Sequence, residues 1–398
     1  MKPSALLCER GVLMVMHSLS QGGADRVAVL LANGFARSGI PTRIALMRDA
    51  ADGQPEIRAM LDPSVDVVSA GRPLGLRMSS SHPPLGHRHL ERVRGVRFLR
   101  TQIEGFAPAI VFAPTDNMGL ITALSRRRSH DEPRFVMKLT NALLRPGNGA
   151  LKAAYRRKLF GFIFQRLDLV LTLSDAEQRQ LSGFFPERSG IFRTVANPYI
   201  SEEMLAERRE ARASTHIHLV SAGRMVAQKR FDLLLEAFAR LASNDARLTI
   251  LGDGPLRPQL EMLARSLGVA DRVDMPGYTG DLLSRLRRSD RLVLSSDYEG
   301  LPAVVLEALS NGLPVVTTDS FLAAHELLDG LTGCDVVPIR DPTALAAAIG
   351  RSLEAAPSGY DLREVAKPYR IEAAIAAHID VFGRLVEEKV QRDQVAAA

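Results

Sequence analysis

Residues 216 to 354 alternate between short apolar runs and longer segments whose apolar residues recur at helical spacing. Such alternation is typical of a parallel sheet, because parallel neighbours need a crossover connection and a helix is the usual one. It predicts strands at 216–223, 247–251, 272–275, 291–295, 314–318 and 334–338. It predicts helices near 231–243, 256–267, 281–289, 302–310, 322–329 and 342–354. We therefore expect a doubly wound α/β sheet with helices on both faces.

The first half of the chain shows the same alternation from Gly11 onward. Its strand-like runs include GVLMVMHSL at 11–19, FVMKLTN at 135–141 and the start of IFRTVANPYI at 191–200. At 398 residues the chain is too long for one ordinary core. We expect one domain at 1–198, a second at 199–367, and a helix at 368–390 that returns to the first domain.

Composition narrows the class of protein. Hydrophobic residues make up 46% of the chain and charged residues 24%, as in soluble globular proteins. No apolar run approaches the roughly 18 residues that a membrane span needs. GVLMVMHSL is short and follows Glu9 and Arg10, which favours a first strand over a signal peptide. The two cysteines and nine scattered histidines lack metal-binding spacing, so we expect a cytoplasmic protein without a metal.

One segment, SSDYEGLPAVVLEALSNGLPVVTT at 295–318, combines a loop, an apolar helix and a strand. Pro302 suits the first position of that helix, where its missing N–H costs nothing. Glu299 then lies in the loop, and Glu307 lies about a turn and a half inside the helix. A carboxylate buried there needs a partner. The partner is either a ligand hydroxyl or, in a purely structural helix, a buried arginine.

The start of the same helix is a predicted anion site. The N–H groups of Gly300, Leu301 and Ala303 have no acceptor within the helix and lie at the positive end of its dipole. A phosphate suits such a position. The segment thus predicts a diphosphate site flanked by two hydroxyl-binding carboxylates.

The stretch EGLPAVVLEAL resembles the motif of two glutamates separated by seven residues in retaining GT-B glycosyltransferases, most closely those of family 4. The resemblance implies two Rossmann-like doubly wound domains that face a cleft, the first binding the acceptor and the second a nucleotide sugar. It implies that the enzyme needs no metal and, apart from the nucleotide-sugar co-substrate, no cofactor. Glu299 would orient the donor sugar through its hydroxyls, and Glu307 would bind the ribose. The residues implied to contact the donor beside them are Gly300, Leu301 and Pro302.

A second motif, SAGRMVAQKRFDLLLEAF, resembles the family's GR…QKG…LL sequence. Arg224 offers a planar guanidinium and Lys229 a point charge, which together suit a diphosphate that is held and stabilised as it leaves. The resemblance implies that these two residues and Glu299 are catalytic. Arg230 stands where the family commonly has glycine. The alternative for Lys229 is a solvated loop residue.

Glycines follow several predicted strands. A glycine lets backbone approach a ligand, but it is also the commonest residue at the end of a strand. Gly22 and Gly23 resemble the family's Gly-Gly loop, and GGADRVAVLLA resembles the version in enzymes that build bacterial surface glycans. A plain tight turn is the alternative. Further candidates for donor binding are Gly223, Gly252, Gly254 and Tyr278.

Candidate acceptor residues lie at the ends of two strands of the first half. Many family members carry a histidine after the strand FVMKLTN, where this chain has Thr140 and Asn141. Asn141 can hydrogen-bond a sugar hydroxyl, but it cannot replace an imidazole. His17 follows the first strand and is a further candidate near the cleft. A buried core histidine is its alternative.

The charge is unevenly distributed. Residues 1–200 hold 28 Lys and Arg against 16 Asp and Glu, a net of +12, and the remainder holds 23 against 29, a net of −6. Residues 72–100 carry seven arginines and one glutamate, with 71–88 expected as a mobile loop that leads into a helix. Residues 151–166 mix basic and aromatic side chains. Both segments suit an anionic bilayer, and the alternative is a core helix with a solvated basic face.

These features favour a hexosyltransferase of the EC 2.4 class that acts with retention. The donor is expected to be a nucleotide sugar, with UDP as the nucleotide that the family resemblance suggests. The acceptor is expected to be a lipid-linked or other glycan at the inner face of the cytoplasmic membrane, with no nucleic-acid partner. Two alternatives are a nucleotide-sugar epimerase of the same fold and a non-catalytic adaptor that binds anionic membranes or nucleic acid.

Overall fold

The computed structural model describes residues 3–19, 23–48, 55–71, 87–127, 132–143, 149–206, 216–241, 245–355 and 362–397. The chain divides into two compact units. The first unit comprises Met1–Thr140, Gly149–Pro198 and Glu372–Ala398. The second comprises Asn141–Asn148 and Tyr199–Ile371.

The first unit is built on a seven-stranded sheet. Its strands are β1 (Val12–Met16), β2 (Thr42–Leu46), β3 (Asp66–Ser69), β4 (Ile110–Ala113), β5 (Arg134–Lys138), β6 (Leu169–Thr172) and β7 (Phe192–Thr194). All neighbouring strands are parallel, in the order β3-β2-β1-β4-β5-β6-β7. Every residue of β1, β4 and β6 is buried, which is why these strands are continuous apolar runs in the sequence.

The connections of the first unit are mostly helical. The helices are α1 (Ala5–Arg10), α2 (Gly23–Arg37), α3 (Pro55–Ala59), α4 (His87–Phe106), α5 (Gly119–Ser125), α6 (Ala150–Phe164) and α7 (Asp175–Phe184). Ser174 caps α7 by accepting a hydrogen bond from the Glu177 N–H at 3.1 Å. A helix at His87 is confirmed, and the expected mobile loop before it lies mostly outside the described residues. The sequence did not predict α1.

The second unit contains a six-stranded parallel sheet. Its strands are β8 (Ile217–Ala222), β9 (Ala246–Leu251), β10 (Val273–Gly277), β11 (Arg291–Leu294), β12 (Val315–Thr318) and β13 (Asp335–Val337). They lie in the order β10-β9-β8-β11-β12-β13. In both sheets the first three strands are added towards one edge and the remaining strands towards the other edge. The strand order thus reverses once in each sheet, as in doubly wound folds.

Helices cover this second sheet. They are α8 (Glu202–Ala206), α9 (Phe231–Ala239), α10 (Arg257–Ser266), α11 (Leu282–Arg287), α12 (Ala303–Ser310), α13 (Ala324–Leu328), α14 (Pro342–Glu354) and α15 (Arg363–Ala366). The six strands and six helices predicted from periodicity are all present, with ends shifted by up to four residues. A core built from α9, α10, α14 and the strands beneath them contains apolar side chains such as Phe238 and Leu345.

One helix start differs from its prediction. Pro302 is the residue before α12 rather than its first residue, and its ψ of 115° is extended. Proline lacks the N–H that would be unpaired at either position, so the sequence cannot distinguish the two. Glu307 is consequently the fifth residue of α12.

The last helix, α16 (Ile371–Ala397), belongs to the first unit from Glu372 onward. Its Phe382 ring packs 5.6 Å from the Phe35 ring and 5.2 Å from the Phe112 ring. A Cβ on Gly34 of α2 would lie 2.4 Å from Ile375 of α16. The missing side chain of this glycine thus allows α2 and α16 to approach closely. None of the helices in the described ranges is long and apolar enough to span a membrane.

Candidate active site

The strand order of the second sheet reverses at β8 and β11, which are neighbours although they are the first and fourth strands of this unit. Loops at such a point diverge to opposite faces and leave a crevice at the carboxyl edge of the sheet. Here the β8 loop, residues 223–230, and the β11 loop, residues 295–302, carry most of the predicted site residues of the second unit.

The two loops bring Lys229 and Glu299 together. Lys229 ends a short 3₁₀ helix, and its Nζ lies 2.6 Å from Oε1 of Glu299. Ser296 donates its hydroxyl to the same oxygen at 2.7 Å, and Gln228 Nε2 lies 3.4 Å from Oε2. Only 19% of the Lys229 side chain and 10% of the Glu299 side chain are exposed. Lys229 is therefore not a solvated loop residue, and the pair places a cation beside an acceptor for hydroxyl groups.

Further hydrogen bonds hold the β8 loop against the β11 loop. The N–H of Asp297 donates to the carbonyl of Gln228 at 2.9 Å. The Ser295 hydroxyl donates to the carbonyl of Lys229 at 2.9 Å, and the Gln228 side chain donates to the carbonyl of Tyr298 at 2.7 Å. Because backbone groups of both loops take part, the position of Lys229 depends on the position of the β11 loop.

The end of the β11 loop, just before α12, presents backbone donors beside this pair. The Glu299 N–H donates to the carbonyl of Ser320 at 2.7 Å and so anchors the loop. Among the described residues, the N–H groups of Gly300 and Leu301 have no acceptor. Glu307 is buried in α12, as its apolar neighbours predict.

The glycines after β8 and β9 allow backbone segments to touch. Gly252 has a φ of +120°, and a Cβ there would lie 2.2 Å from the carbonyl oxygen of Gly223. A Cβ on Gly254 would lie 2.5 Å from the carbonyl oxygen of Met225. A Cβ on Gly223 would lie 2.9 Å from Cε of Lys229. Packing within the site thus requires glycine at 252 and 254, where the neighbouring atoms are backbone, whereas a Cβ at 223 would meet only the flexible end of the Lys229 side chain.

Two predicted ligand-binding side chains point into solvent. Arg224 is exposed, and its guanidinium has no partner among the described residues. Tyr278 follows β10 and is 84% exposed. Both side chains are accessible to a ligand, whereas Lys229 is already paired.

The predicted acceptor residues have different surroundings. Thr140 follows β5 and donates its hydroxyl to Asp116, a carboxylate after β4 that the sequence did not single out. His17 follows β1 and is exposed, so the alternative of a core histidine is wrong. Partial desolvation is the main cause that lowers the pKa of His17. Asn141 begins the segment Asn141–Asn148 of the second unit.

The predicted Gly-Gly loop is only partly described. Gly22 lies outside the described residues. Gly23 begins α2, and a Cβ added there would meet no atom within 4 Å. A side chain at position 23 would therefore meet no described atom of this chain, and packing does not require glycine there.

A buried polar cluster lies at the carboxyl end of β5. Lys138 is 1% exposed, and its Nζ donates to the carbonyl of Val195 at 2.7 Å and to Nε2 of His378 at 3.2 Å. His378 Nε2 accepts because Nδ1 contacts the carbonyl of Ala374 at 2.7 Å as donor. Burial lowers the pKa of Lys138 to about 7 and holds that of His378 well below its ordinary value. Burial raises the pKa of Glu177, whose charge interacts with Lys138, to about 7.

Within the described ranges, no group of three or more His, Cys, Asp or Glu side chains could hold a metal ion.

Two family models match the chain. The model described as glycosyl transferases group 1 matches residues 205–369, and the model described as glycosyl transferase 4-like domain matches residues 22–196. Each match covers most of one sheet, and the first includes the whole Lys229–Glu299 site.

The chain belongs to the family 4-like glycosyltransferases.

A curated relative of this glycosyltransferase is the lipopolysaccharide core biosynthesis glycosyltransferase LpsE of Rhizobium meliloti (strain 1021). The two are 40% identical over 131 residues, which are 33% of this chain and 38% of LpsE. The chain spans less than half the length of the first curated relatives that it matches.

Solved structures show the same fold over nearly the whole chain. The lipopolysaccharide outer core galactosyltransferase WaaB, in its apo form, has a TM-score of 0.72 at 16% identity, covering 98% of this chain and 100% of WaaB. HepE of Anabaena, in complex with UDP, has a TM-score of 0.66 at 17% identity, covering 96% of this chain and 100% of HepE. This glycosyltransferase therefore has the GT-B fold, which confirms the predicted fold class.

Several residues around the site of this glycosyltransferase were not among the predicted ones. They are Gln228, Ser296, Asp297 and Arg340. All four lie in loops at the carboxyl ends of parallel strands, and that position is the signal that could have found them. Asp116 of the first unit lies at the same edge of its own sheet.

Proposed function

We propose that this chain transfers a sugar from a nucleotide sugar, with UDP as the nucleotide, to a lipid-linked or other glycan acceptor, and that the anomeric configuration is retained. The observation that carries the proposal is the buried Lys229–Glu299 pair beside the unpaired N–H groups of Gly300 and Leu301. A cation, a carboxylate and two backbone donors, brought together by the β8 and β11 loops, suit a sugar diphosphate. LpsE, named for lipopolysaccharide core biosynthesis, supports a role in surface polysaccharide synthesis. The UDP in HepE supports the choice of nucleotide.

The chemistry proposed for these groups is electrostatic. As the bond between the anomeric carbon and the phosphate oxygen breaks, negative charge grows on the departing diphosphate. Lys229, Arg224 and the N–H groups of Gly300 and Leu301, just before α12, stabilise that charge, and they are in place before the reaction begins. Since protein cations neutralise the diphosphate, we expect turnover without added divalent metal.

The carboxylates orient the donor in this proposal. Glu299 accepts hydrogen bonds from sugar hydroxyls through its less engaged oxygen, Oε2, while Lys229 and Ser296 hold Oε1. Glu307 binds the ribose. The glycine loops around Gly252 and Gly254, with Tyr278, approach the nucleoside. The proposed acceptor contacts are Thr140, Asp116 and His17 of the first unit, together with Asn141.

The proposal predicts selective stabilisation by one nucleotide. UDP at about 100 times its dissociation constant is expected to add roughly 2.7 kcal/mol to the free energy of unfolding, which raises the melting temperature. The measurement is a thermal scan with UDP, GDP, ADP and CMP. A shift with none of them would contradict the donor site. A released epimer of the sugar nucleotide in the absence of acceptor would point to an epimerase instead.

We place the enzyme at the inner face of the cytoplasmic membrane through two helices of the first unit. On α4, Leu90 and Val93 are 72% and 52% exposed, and on α6, Leu151 and Tyr155 are 91% and 65% exposed. α5 packs against both helices, so the two lie in one layer. Exposed arginines and lysines accompany these apolar side chains. Apolar tips among basic residues suit an anionic bilayer.

The membrane proposal predicts a specific effect of two substitutions. The double variant Leu151→Ser, Tyr155→Ser is expected to bind vesicles of anionic phospholipid about tenfold more weakly, because both side chains lose apolar contact with lipid. The measurement is vesicle cosedimentation. The matched control is Met262→Ser, which removes a 57% exposed side chain from α10 of the second unit. Equal binding by both variants would contradict this placement.

A further inference from the structure

Two arginines of the second unit adopt a backbone conformation that favours glycine. Arg230, directly before α9, has a φ of +49°, and Arg340, after β13, has a φ of +63°. A glycine adopts these angles freely, whereas a side chain there is strained against its own backbone. Each arginine lies in a loop at the carboxyl edge of the sheet. A compensating contact is expected for both.

Both arginines bind the same carboxylate. Arg340 contacts Asp297 with two donors, Nε to Oδ1 at 3.1 Å and NH2 to Oδ2 at 3.0 Å. Arg230 contacts Oδ1 of Asp297 at 3.3 Å, and its Nε contacts Asp232 at 3.0 Å. Only 16% of the Asp297 side chain is exposed. Burial acts to raise the pKa of Asp297, but the hydrogen bonds and charges of the two arginines outweigh it, and the pKa is lowered.

Asp297 lies in the part of the β11 loop that determines where Glu299 sits. Its N–H donates to the carbonyl of Gln228, the residue before Lys229. Glu299 follows two residues later, and the unpaired N–H groups of Gly300 and Leu301 come next. Through its backbone and its carboxylate, Asp297 thus joins the β8 loop, the β11 loop and the loop after β13.

We infer that Arg230, Asp297 and Arg340 form a clamp that positions the β11 loop for binding a nucleoside diphosphate. They are positioning residues, which act through Glu299 and the N–H groups of Gly300 and Leu301. The kinetic part of this inference rests on the proposed function. The conformational part rests only on the contacts of the three side chains.

The variant Arg340→Gly tests the clamp without straining the backbone. Glycine relieves the left-handed conformation, and this gain offsets the loss of the partly exposed ion pair to Asp297, so the melting temperature is expected to stay close to that of the wild type. Hydrogen exchange of the amides in residues 296–301 is expected to be about tenfold faster, since the loop loses its bidentate contact. The dissociation constant for UDP is expected to rise about tenfold and kcat to fall by a similar factor. Arg340→Lys, which keeps the charge but not the planar fork, is expected to fall between the two.

The chain offers a matched control in Ala107→Gly. Ala107 has a φ of +48° and lies before β4 in the first unit. Replacing Ala107 by glycine relieves the same kind of backbone strain, but in the first unit and outside the clamp. Amide exchange at 296–301, UDP affinity and kcat are therefore expected to stay at wild-type values. Loss of UDP affinity or kcat in Ala107→Gly to the same degree as in Arg340→Gly would overturn the inference.

The outcomes separate the clamp from the proposed function. Wild-type exchange and wild-type kinetics in Arg340→Gly would overturn the clamp while leaving the transferase intact. If the wild type binds none of the nucleotides, the proposed function fails, and amide exchange alone decides the clamp. Faster exchange in Asp297→Asn as well as in Arg340→Gly would then support it, and unchanged exchange in both would refute it.

Discussion

Replacement of Lys229 by alanine is expected to lower kcat by about 10²–10³-fold, the size of effect seen when one preorganised electrostatic group is lost. The variant removes a cation proposed to stabilise the departing diphosphate. It also removes the 2.6 Å contact to Glu299, whose carboxylate is then buried with only Ser296 and the more distant Gln228. When a buried carboxylate loses its cation, the free energy of unfolding falls by up to about 3–5 kcal/mol. The measurements are turnover and denaturant unfolding of the same preparation.

A second variant separates catalysis from stability. In Lys229→Ala with Glu299→Gln, the carboxylate becomes a neutral amide, so the cost of an unpaired buried charge disappears. Stability is expected to recover most of the loss while turnover stays low. Turnover near the wild-type value in either variant would contradict the role assigned to Lys229.

The second large effect concerns Lys138 and pH. In the folded chain its pKa is about 7, below the 10.5 of an ordinary lysine. Above pH 10.5 the amine is neutral in both the folded and unfolded states. With respect to this group, the free energy of unfolding is then at its highest. As the pH falls towards 7, the unfolded chain binds a proton that the folded chain does not, so the free energy of unfolding decreases. Between pH 9.5 and 7.5 this decrease is expected to be about 2–3 kcal/mol.

The variant Lys138→Met is expected to lose that part of the pH dependence. Denaturant unfolding of the variant and the wild type at pH 7.5 and 9.5 measures the difference. This window lies above the pKa of about 7 of Glu177, whose titration has the opposite sign. The matched control is Lys152→Met on α6, which removes an exposed lysine and is expected to leave the pH profile unchanged. Parallel profiles for Lys138→Met and the wild type would contradict the assignment.

Much of the fold could be predicted because it depends on patterns that repeat along the chain. The apolar strands of the second unit and their helices follow from local periodicity, and all twelve predicted elements are present. The burial of Glu307 follows in the same way from the apolar residues on either side of it. Helix ends were less certain. Pro302 lies one residue outside α12 because its missing N–H is tolerated at either position.

The candidate site could be predicted only in part. Lys229 and Glu299 were each predicted from their own motif, but their pairing was not, because 70 residues separate them and no local pattern relates them. The glycines at 252 and 254 were predicted as places of close ligand approach. Their nearest constraints are instead the carbonyl oxygens of Gly223 and Met225, which are supplied by another loop.

The sequence by itself therefore determined which segments of the second unit form strands and helices, and which residue types stand at the strand ends. Periodicity and chain direction are local properties, and they suffice for those conclusions. Only the tertiary structure decided which side chains meet. Lys138 contacts His378 across 240 residues, and Asp297 joins Arg230 to Arg340. Such contacts arise because parallel sheets collect the ends of distant strands at one edge, where the order of strands, and not the order of residues, sets the neighbours.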